Sequence, residues 1–183
     1  MSDSDDVRHI SDNSQPNASR IYDYILGGTH YFEIDKEIAD DILQRMPVFK
    51  KVTRIIRWFL GNAIDRTFNM GFTQFLDFAS GLPAVDHIHR RIPKEVKNQT
   101  KIIYSDIDPV TVHISREIIG MNPSIKCLEC DCRKPGPFLE SDIVNDFFDK
   151  NKKIAVGLNG IFYFLSDEDI KHALTVLYNW APE

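Results

Sequence analysis

From Gly71 onward the chain alternates short apolar runs with amphipathic segments, and this alternation narrows its fold more than any other feature. Phe75-Leu76-Asp77-Phe78 reads as a strand running into a small-residue turn, Ala79-Ser80-Gly81. A helix is predicted from about Ala84, ending or kinking before Pro93. Lys101 to Ser105 reads as a second strand. Asp108-Pro109 then supplies an N-cap and a first-turn proline for a helix that Gly120 stops. Ile125 to Cys130 is a third strand, followed by a Pro- and Gly-containing loop and a helix near Asp142 to Phe148. The apolar run Ile154 to Phe164 reads as a buried fourth strand with its outgoing loop. Ser166 and Asp169 form a capping box for a helix whose apolar stripe is Ile170, Leu174 and Leu177. Strands separated by helices imply βαβ units in a doubly wound, mostly parallel α/β sheet.

The region before Gly71 has a different texture. Residues 1–18 are rich in Ser, Asp and Asn without apolar periodicity, which predicts a disordered tail. Residues 19–70 read as helical: Ile21, Tyr24 and Ile25, then Ile34, Ile38, Ile42 and Leu43, interrupted by Gly27-Gly28. In the last of these segments Val52, Ile55, Ile56, Phe59, Leu60, Ala63, Ile64 and Phe68 fall on one helical face. Residues 71–183 form the α/β domain. A net charge of −5 disfavours a nucleic-acid backbone as main partner. No apolar run approaches the roughly 20 residues that span a bilayer, so no membrane partner is expected. The polar, acidic N-terminus resembles neither a signal nor a transit peptide, which leaves a cytoplasmic location as the expectation.

In such a sheet the ligand lies beyond the carboxyl ends of the strands, and three places there carry suitable chemistry. The turn after Asp77 is built of small residues that let backbone approach a ligand, or simply make a tight βα connection. Asp106, 25 residues after Gly81, can accept from the vicinal hydroxyls of a ribose. Asp131, at the end of the third strand, can accept from an adenine amino group. Either aspartate can equally serve as a helix cap, as Asp108 does before Pro109. Pro83 and Asp86 stand where glycines would admit a pyrophosphate, which disfavours a dinucleotide.

The segments Ser19-Arg-Ile-Tyr-Asp-Tyr-Ile-Leu-Gly-Gly28 with Phe32 and Asp35, Phe75-Leu-Asp-Phe-Ala-Ser-Gly-Leu-Pro83 with His89, and Tyr104-Ser-Asp-Ile-Asp-Pro109 resemble an actinomycete-rich family of S-adenosylmethionine-dependent methyltransferases. The resemblance runs in order from about Ser19 to the chain end. It implies a Rossmann-like domain with strand order 3-2-1-4 in the part present, behind an N-terminal helical lid. Asp77, Ala79 and Gly81 would border the amino-acid part of the cofactor, Asp106 would bind ribose, and Asp131 with Cys132 would flank adenine. Tyr22, Tyr24 and Gly28 would belong to the lid. Ala79 departs from the family's usual glycine, Thr29-His30-Tyr31 from Lys-Asp-Asn, and Tyr163 from histidine.

The implied function is methyl transfer from S-adenosylmethionine to an unidentified acceptor, a small molecule rather than a macromolecule. Alternatives are a cofactor-binding module without catalysis and, third, a nicotinamide-dependent oxidoreductase. Methyl transfer from a sulfonium is an in-line displacement that positioning can largely accelerate, and His30, His89 and Tyr163 are the candidate bases where an acceptor must lose a proton. Asn159, inside an apolar run, either satisfies a backbone group or faces the substrate. The resemblance also implies three further C-terminal strands. Without them the strand at Ile154 to Leu158 keeps an open edge, and a chain of this length is expected to dimerise through it or aggregate.

Cys127, Cys130 and Cys132 are read as reduced thiols. Strand alternation puts Cys127 on one face and the other two on the opposite face, which does not assemble the four ligands a structural metal needs. Purified protein is therefore expected to contain no stoichiometric zinc. Elemental analysis near one metal per chain, lost on replacing Cys130 or Cys132, would contradict this.

Overall fold

Asn17 starts the ordered helices because its side chain accepts from the backbone N–H groups of Ser19 and Arg20, a cap for the orphan donors of α1 (Ala18–Leu26). The structure, a computed structural model, describes residues 14–83 and 86–181. Most of the predicted tail and the start of the helix expected at Ala84 lie outside these residues. Asn17 and Ala18, placed in the tail by composition, belong instead to the folded chain.

Gly27, in the left-handed region at φ 92°, ends α1. The chain then turns into α2 (Glu33–Arg45) and α3 (Phe49–Asn69). A buried ion pair fixes the first two helices against each other. Arg20 Nε lies 2.6 Å from Asp35 Oδ2, with side chains 3% and 0% exposed. Asp35 also accepts from the N–H groups of Asn17 and Phe32, and Arg20 donates to the Gln15 carbonyl and lies over the Phe32 ring. The charges are thus both paired and hydrogen-bonded, the condition under which burial is tolerated.

Only part of the predicted apolar face of α3 packs: Ile64 and Phe68 meet the core and Leu60 lines a cavity. Val52, Ile55, Ile56 and Phe59 are exposed, whereas Thr53 and Gly61 are buried and Arg57, Leu60, Ile64 and Phe68 are half-buried. The packed stripe is offset from the predicted one by about one residue. Close approach is the reason: a Cβ on Gly61 would lie 3.3 Å from the Arg91 guanidinium carbon, and Asp65, one turn on, binds the same arginine.

The sheet follows as β1 (Gln74–Phe78), the single turn α4 (Ile88–Arg91), β2 (Lys101–Asp106), α5 (Pro109–Ile119), β3 (Ile125–Glu129), the short α6 (Gly136–Leu139) and α7 (Asp142–Asn145), β4 (Ile154–Gly157) and α8 (Asp167–Trp180). All pairings are parallel in the order β3-β2-β1-β4, with Asp77 opposite both Tyr104 and Gly157, and Asp106 opposite Glu129. This is the expected Rossmann-like order. Central β1 is buried along its length, as a strand covered on both faces must be. One face carries Leu76, Phe78, Ile103, Cys130 and Cys132 toward α6, α7 and α8. The other carries Phe75, Ile102, Tyr104 and Cys127 toward α3, α4 and α5. The cysteines are partitioned as strand alternation predicts, and burial pushes the Cys127 thiol up to about 11 and Cys130 to about 12.

The run from Ile154 is less buried than its apolarity suggests. The strand stops at Gly157, and Phe162, Tyr163 and Phe164 form an exposed 3₁₀ turn. In α8 the Ser166–Asp169 cap forms, and Ala173 and Leu177 are buried while Leu174 is exposed.

Asp108 joins the helical region to the sheet. Its carboxylate accepts from Val110 N and Thr111 N of α5, from Thr111 Oγ1 at 2.7 Å, and from Asn17 Nδ2 at 2.9 Å. Asp108→Ala removes a cap and an interdomain anchor together, and the expected loss is about 2 kcal/mol, the upper end for a cap. Urea unfolding measures it; a loss below about 0.5 kcal/mol would show that this carboxylate does not dock the N-terminal helices.

Candidate functional site

Parallel strands deliver their carboxyl ends to one edge, where the turn after β1 meets the end of β2. Ala79 adopts φ 48° and Gly81 φ 64°, so the turn enters the left-handed region at an alanine, a strained choice for a residue with a Cβ. Hydrogen bonds hold it there. Ser80 N donates to Ser105 O at 2.9 Å, and Gly81 N donates to Asp106 Oδ2 at 3.1 Å. Asp106 Oδ1 accepts from Asp108 N at 3.1 Å. Each carboxylate oxygen of Asp106 thus carries a backbone donor, and the Ile107 backbone also faces the carboxylate. Burial raises its pKa, and the backbone donors act against that.

Asp77 ends β1 beneath this turn. Its Oδ1 accepts from Asn159 Nδ2 at 3.1 Å, so the polar residue in the apolar run binds a carboxylate. Gly157 admits the pair, since a Cβ there would lie 2.5 Å from Asp77 Oδ1. Burial pushes the Asp77 carboxyl up to about 6, with Asn159 and the charge of Arg57 pulling the other way. Beside it lies a cavity of about 140 Å³, lined by Arg57, Leu60 and Ile64 of α3, by Asp77, by Asp86 and His87, and by Val156, Gly157 and Asn159. It is smaller than the ~300 Å³ at the lower end for drug-sized ligands. Arg57 and His87, 2.7 Å apart, escaped the sequence reading because the inward stripe of α3 also takes in Thr53, Arg57 and Gly61, which apolar periodicity does not mark. The signal available was Arg57 four residues from Thr53 and from Gly61.

The N-terminal helices reach the same edge. Ser19 packs over Gly81. Tyr22 is half-buried, its phenol raised by burial and lowered by Arg57, which places it near the cavity. Tyr24 points elsewhere, donating to Asp40 at 2.9 Å and stacking edge-on with Tyr31. Gly28 serves a local role, since a Cβ there would overlap the Asp23 carboxylate. Asp23 in turn accepts from His30 N, and the His30 ring stays 3.9 Å away. Asp131 is gripped by Arg133, whose guanidinium holds its carboxyl below the usual range. Cys132 turns its side chain into the core. His89 is bound to the Tyr104 hydroxyl at 2.9 Å, and burial brings its pKa down to about 4. Tyr163 is 90% exposed. The structure therefore gathers Asp77, Ala79, Gly81, Asp106 and Tyr22, and leaves His30, His89 and Tyr163 outside that group.

The pKa of Asp77 has a consequence for stability. A folded-state value of about 6 against the ordinary 3.8 means that the native state retains a proton the unfolded chain releases. This group's contribution is most favourable below about pH 4 and is lost as pH rises through 6, a difference of roughly 3 kcal/mol. Asp77→Asn is expected to flatten that decline. Urea unfolding from pH 4 to 7 tests it, and an unchanged slope in the variant would locate the pH dependence elsewhere.

Comparison with known proteins agrees with this architecture. None of the curated proteins matches the chain. It is similar to a crystal structure of a candidate methyltransferase from Thermobifida fusca, with 26% identity over 94% of this chain and a TM-score of 0.84. It is also similar to a DUF574 family protein from Streptomyces avermitilis, with 27% identity over 92% and a TM-score of 0.78. The chain spans 64% of the length of each of these two. Residues 4–181 match the model of a family described as S-adenosyl methyltransferase. The chain belongs to that S-adenosyl methyltransferase family, whose cofactor is S-adenosylmethionine.

Proposed function

We propose that the carboxyl ends of β1 and β2 hold S-adenosylmethionine and that the protein transfers its methyl group to a small-molecule acceptor. The observation that carries this reading is the buried Asp106 carboxylate, held at the end of β2 by Gly81 N and Asp108 N. An ionised carboxylate can only accept, which fits the vicinal hydroxyls of a ribose as donors. The turn at Ala79 to Gly81 exposes backbone where a ligand approaches, and it offers no run of free N–H groups for a pyrophosphate. A nicotinamide dinucleotide is disfavoured on the same ground. Asp131 can serve an adenine amino group only with the lone pairs that Arg133 leaves.

When bound, the cofactor supplies an electrophilic methyl group on a sulfonium with a good leaving group. The residues of this chain orient it: Asp106 fixes the ribose, the β1 turn borders the amino-acid end, and Tyr22 covers the edge from α1. Binding without turnover is the second reading. It is favoured by the placement of His89, neutral and held by Tyr104, and of His30, whose backbone N–H is held at Asp23, both outside the gathered group.

S-adenosylhomocysteine at 100 times its Kd is expected to add about 2.7 kcal/mol and to raise Tm by roughly 5–10 °C, while NAD and NADP leave it unchanged. Asp106→Ala should weaken that binding about ten- to a hundredfold, and Asp108→Ala should spare it. Absence of heat and of a melting shift at millimolar S-adenosylhomocysteine would refute the reading. Turnover assays on a panel of small acceptors separate catalysis from binding alone.

A further inference from the structure

Arg57 has no ion-pair partner among the described residues, although its charge reaches Asp77 across the cavity. Its guanidinium lies 2.7 Å from His87 Nδ1, its hydrogen bond among the described residues, and its Nε is shielded from solvent with no partner. Because arginine can only donate, that contact makes Nδ1 the acceptor and leaves the ring proton on Nε2. His87 is 4% exposed, and Nε2 completes no hydrogen bond either, although the ring leans toward the Ser80 carbonyl. The pair thus offers two buried donors and a positive charge. The acids that share the cavity are engaged: Asp77 binds Asn159, and Asp86 faces Arg91 at 4.0 Å. A shielded guanidinium N–H with no acceptor is costly until an oxygen anion meets it.

We propose that the Arg57–His87 end of this cavity binds a carboxylate. Leu60, Ile64, Ile88 and Val156 supply an apolar part of the wall beside the engaged acids, which suits the body of a small aliphatic or aromatic acid. On the methyltransferase reading, on which this assignment of substrate class rests, the acceptor is therefore a small organic acid seated between α3 and the ends of β1 and β4. The amino-acid end of the cofactor is the other source of the same chemical group.

The test compares the full-length wild-type chain with Arg57→Gln and Arg57→Lys by calorimetric titration of benzoate, propionate, S-adenosylhomocysteine and 5′-methylthioadenosine, which lacks the carboxylate. Nitrogen NMR of the His87 ring accompanies the wild-type titrations. The expected result is that benzoate or propionate shifts the ring signals. Arg57→Gln should then lose that binding about ten- to a hundredfold, with both nucleosides unaffected. If Arg57→Gln weakens S-adenosylhomocysteine by the same factor but spares 5′-methylthioadenosine, the site stands and its carboxylate is the cofactor's. If carboxylates bind through Arg57 and neither nucleoside binds at all, the site stands and the methyltransferase reading fails. The proposal is overturned if no carboxylate ligand moves the His87 signals and a folded Arg57→Gln binds every probe like wild type. Should Arg57→Gln melt below the assay temperature, the wild-type ring signals and the charge-keeping Arg57→Lys decide.

Discussion

Two parallel strands cannot be joined by a tight turn; each pair needs a crossover of a dozen or more residues, and every crossover returns the chain to the same end of the sheet. Here that rule puts the carboxyl ends of β1, β2 and β4 on one edge, where Asp77 meets Asn159, 82 residues away, and Asp106 meets the turn at Gly81. The remaining features follow from it. The turn after Asp77 is pinned by the end of β2, the cap of α5 begins two residues beyond Asp106, and the N-terminal helices dock on that same cap through Asn17.

Two arginines on the N-terminal helices, Arg20 buried and Arg57 half-buried, show how differently such a charge can be used. Arg20 meets Asp35 within a closed set of hydrogen bonds, and the pair fixes α1 against α2. Nothing in that arrangement is left for a ligand. Arg57 meets a neutral imidazole instead and keeps donors idle beside a cavity. The first arrangement lowers its own energy as the chain folds, and the second leaves that gain to be made on binding.

Ala79 marks the same division between stability and function. A residue with a Cβ at φ 48° is destabilising where glycine would be neutral, yet Ser80 and Gly81 tie the turn to Ser105 and Asp106 closely enough to hold it. The site is therefore rigid at its floor. The exposed apolar residues on the outer side of α3 and in the turn after β4 belong to a different part of the surface.

The amino-acid sequence by itself determined the alternation of strands and helices, the cap at Asp108 and the opposite facing of the cysteines, because each depends on local periodicity or on a single side chain's chemistry, whereas the strand order was implied by the family resemblance. It also marked Asp77 and Asp106, since a carboxylate at a strand end in this fold has few other places to be. What it left open was rotation and company. The apolar residues of α3 define a stripe, but Thr53 and Gly61 permit closer packing than Ile55 and Phe59, and close packing chose the face. That choice turned Arg57 inward to His87. Asn159, ambiguous in sequence, found its partner only when β4 was laid beside β1. Contacts between residues far apart in the chain are set by volume and by unsatisfied donors, and those become definite only once the elements are packed.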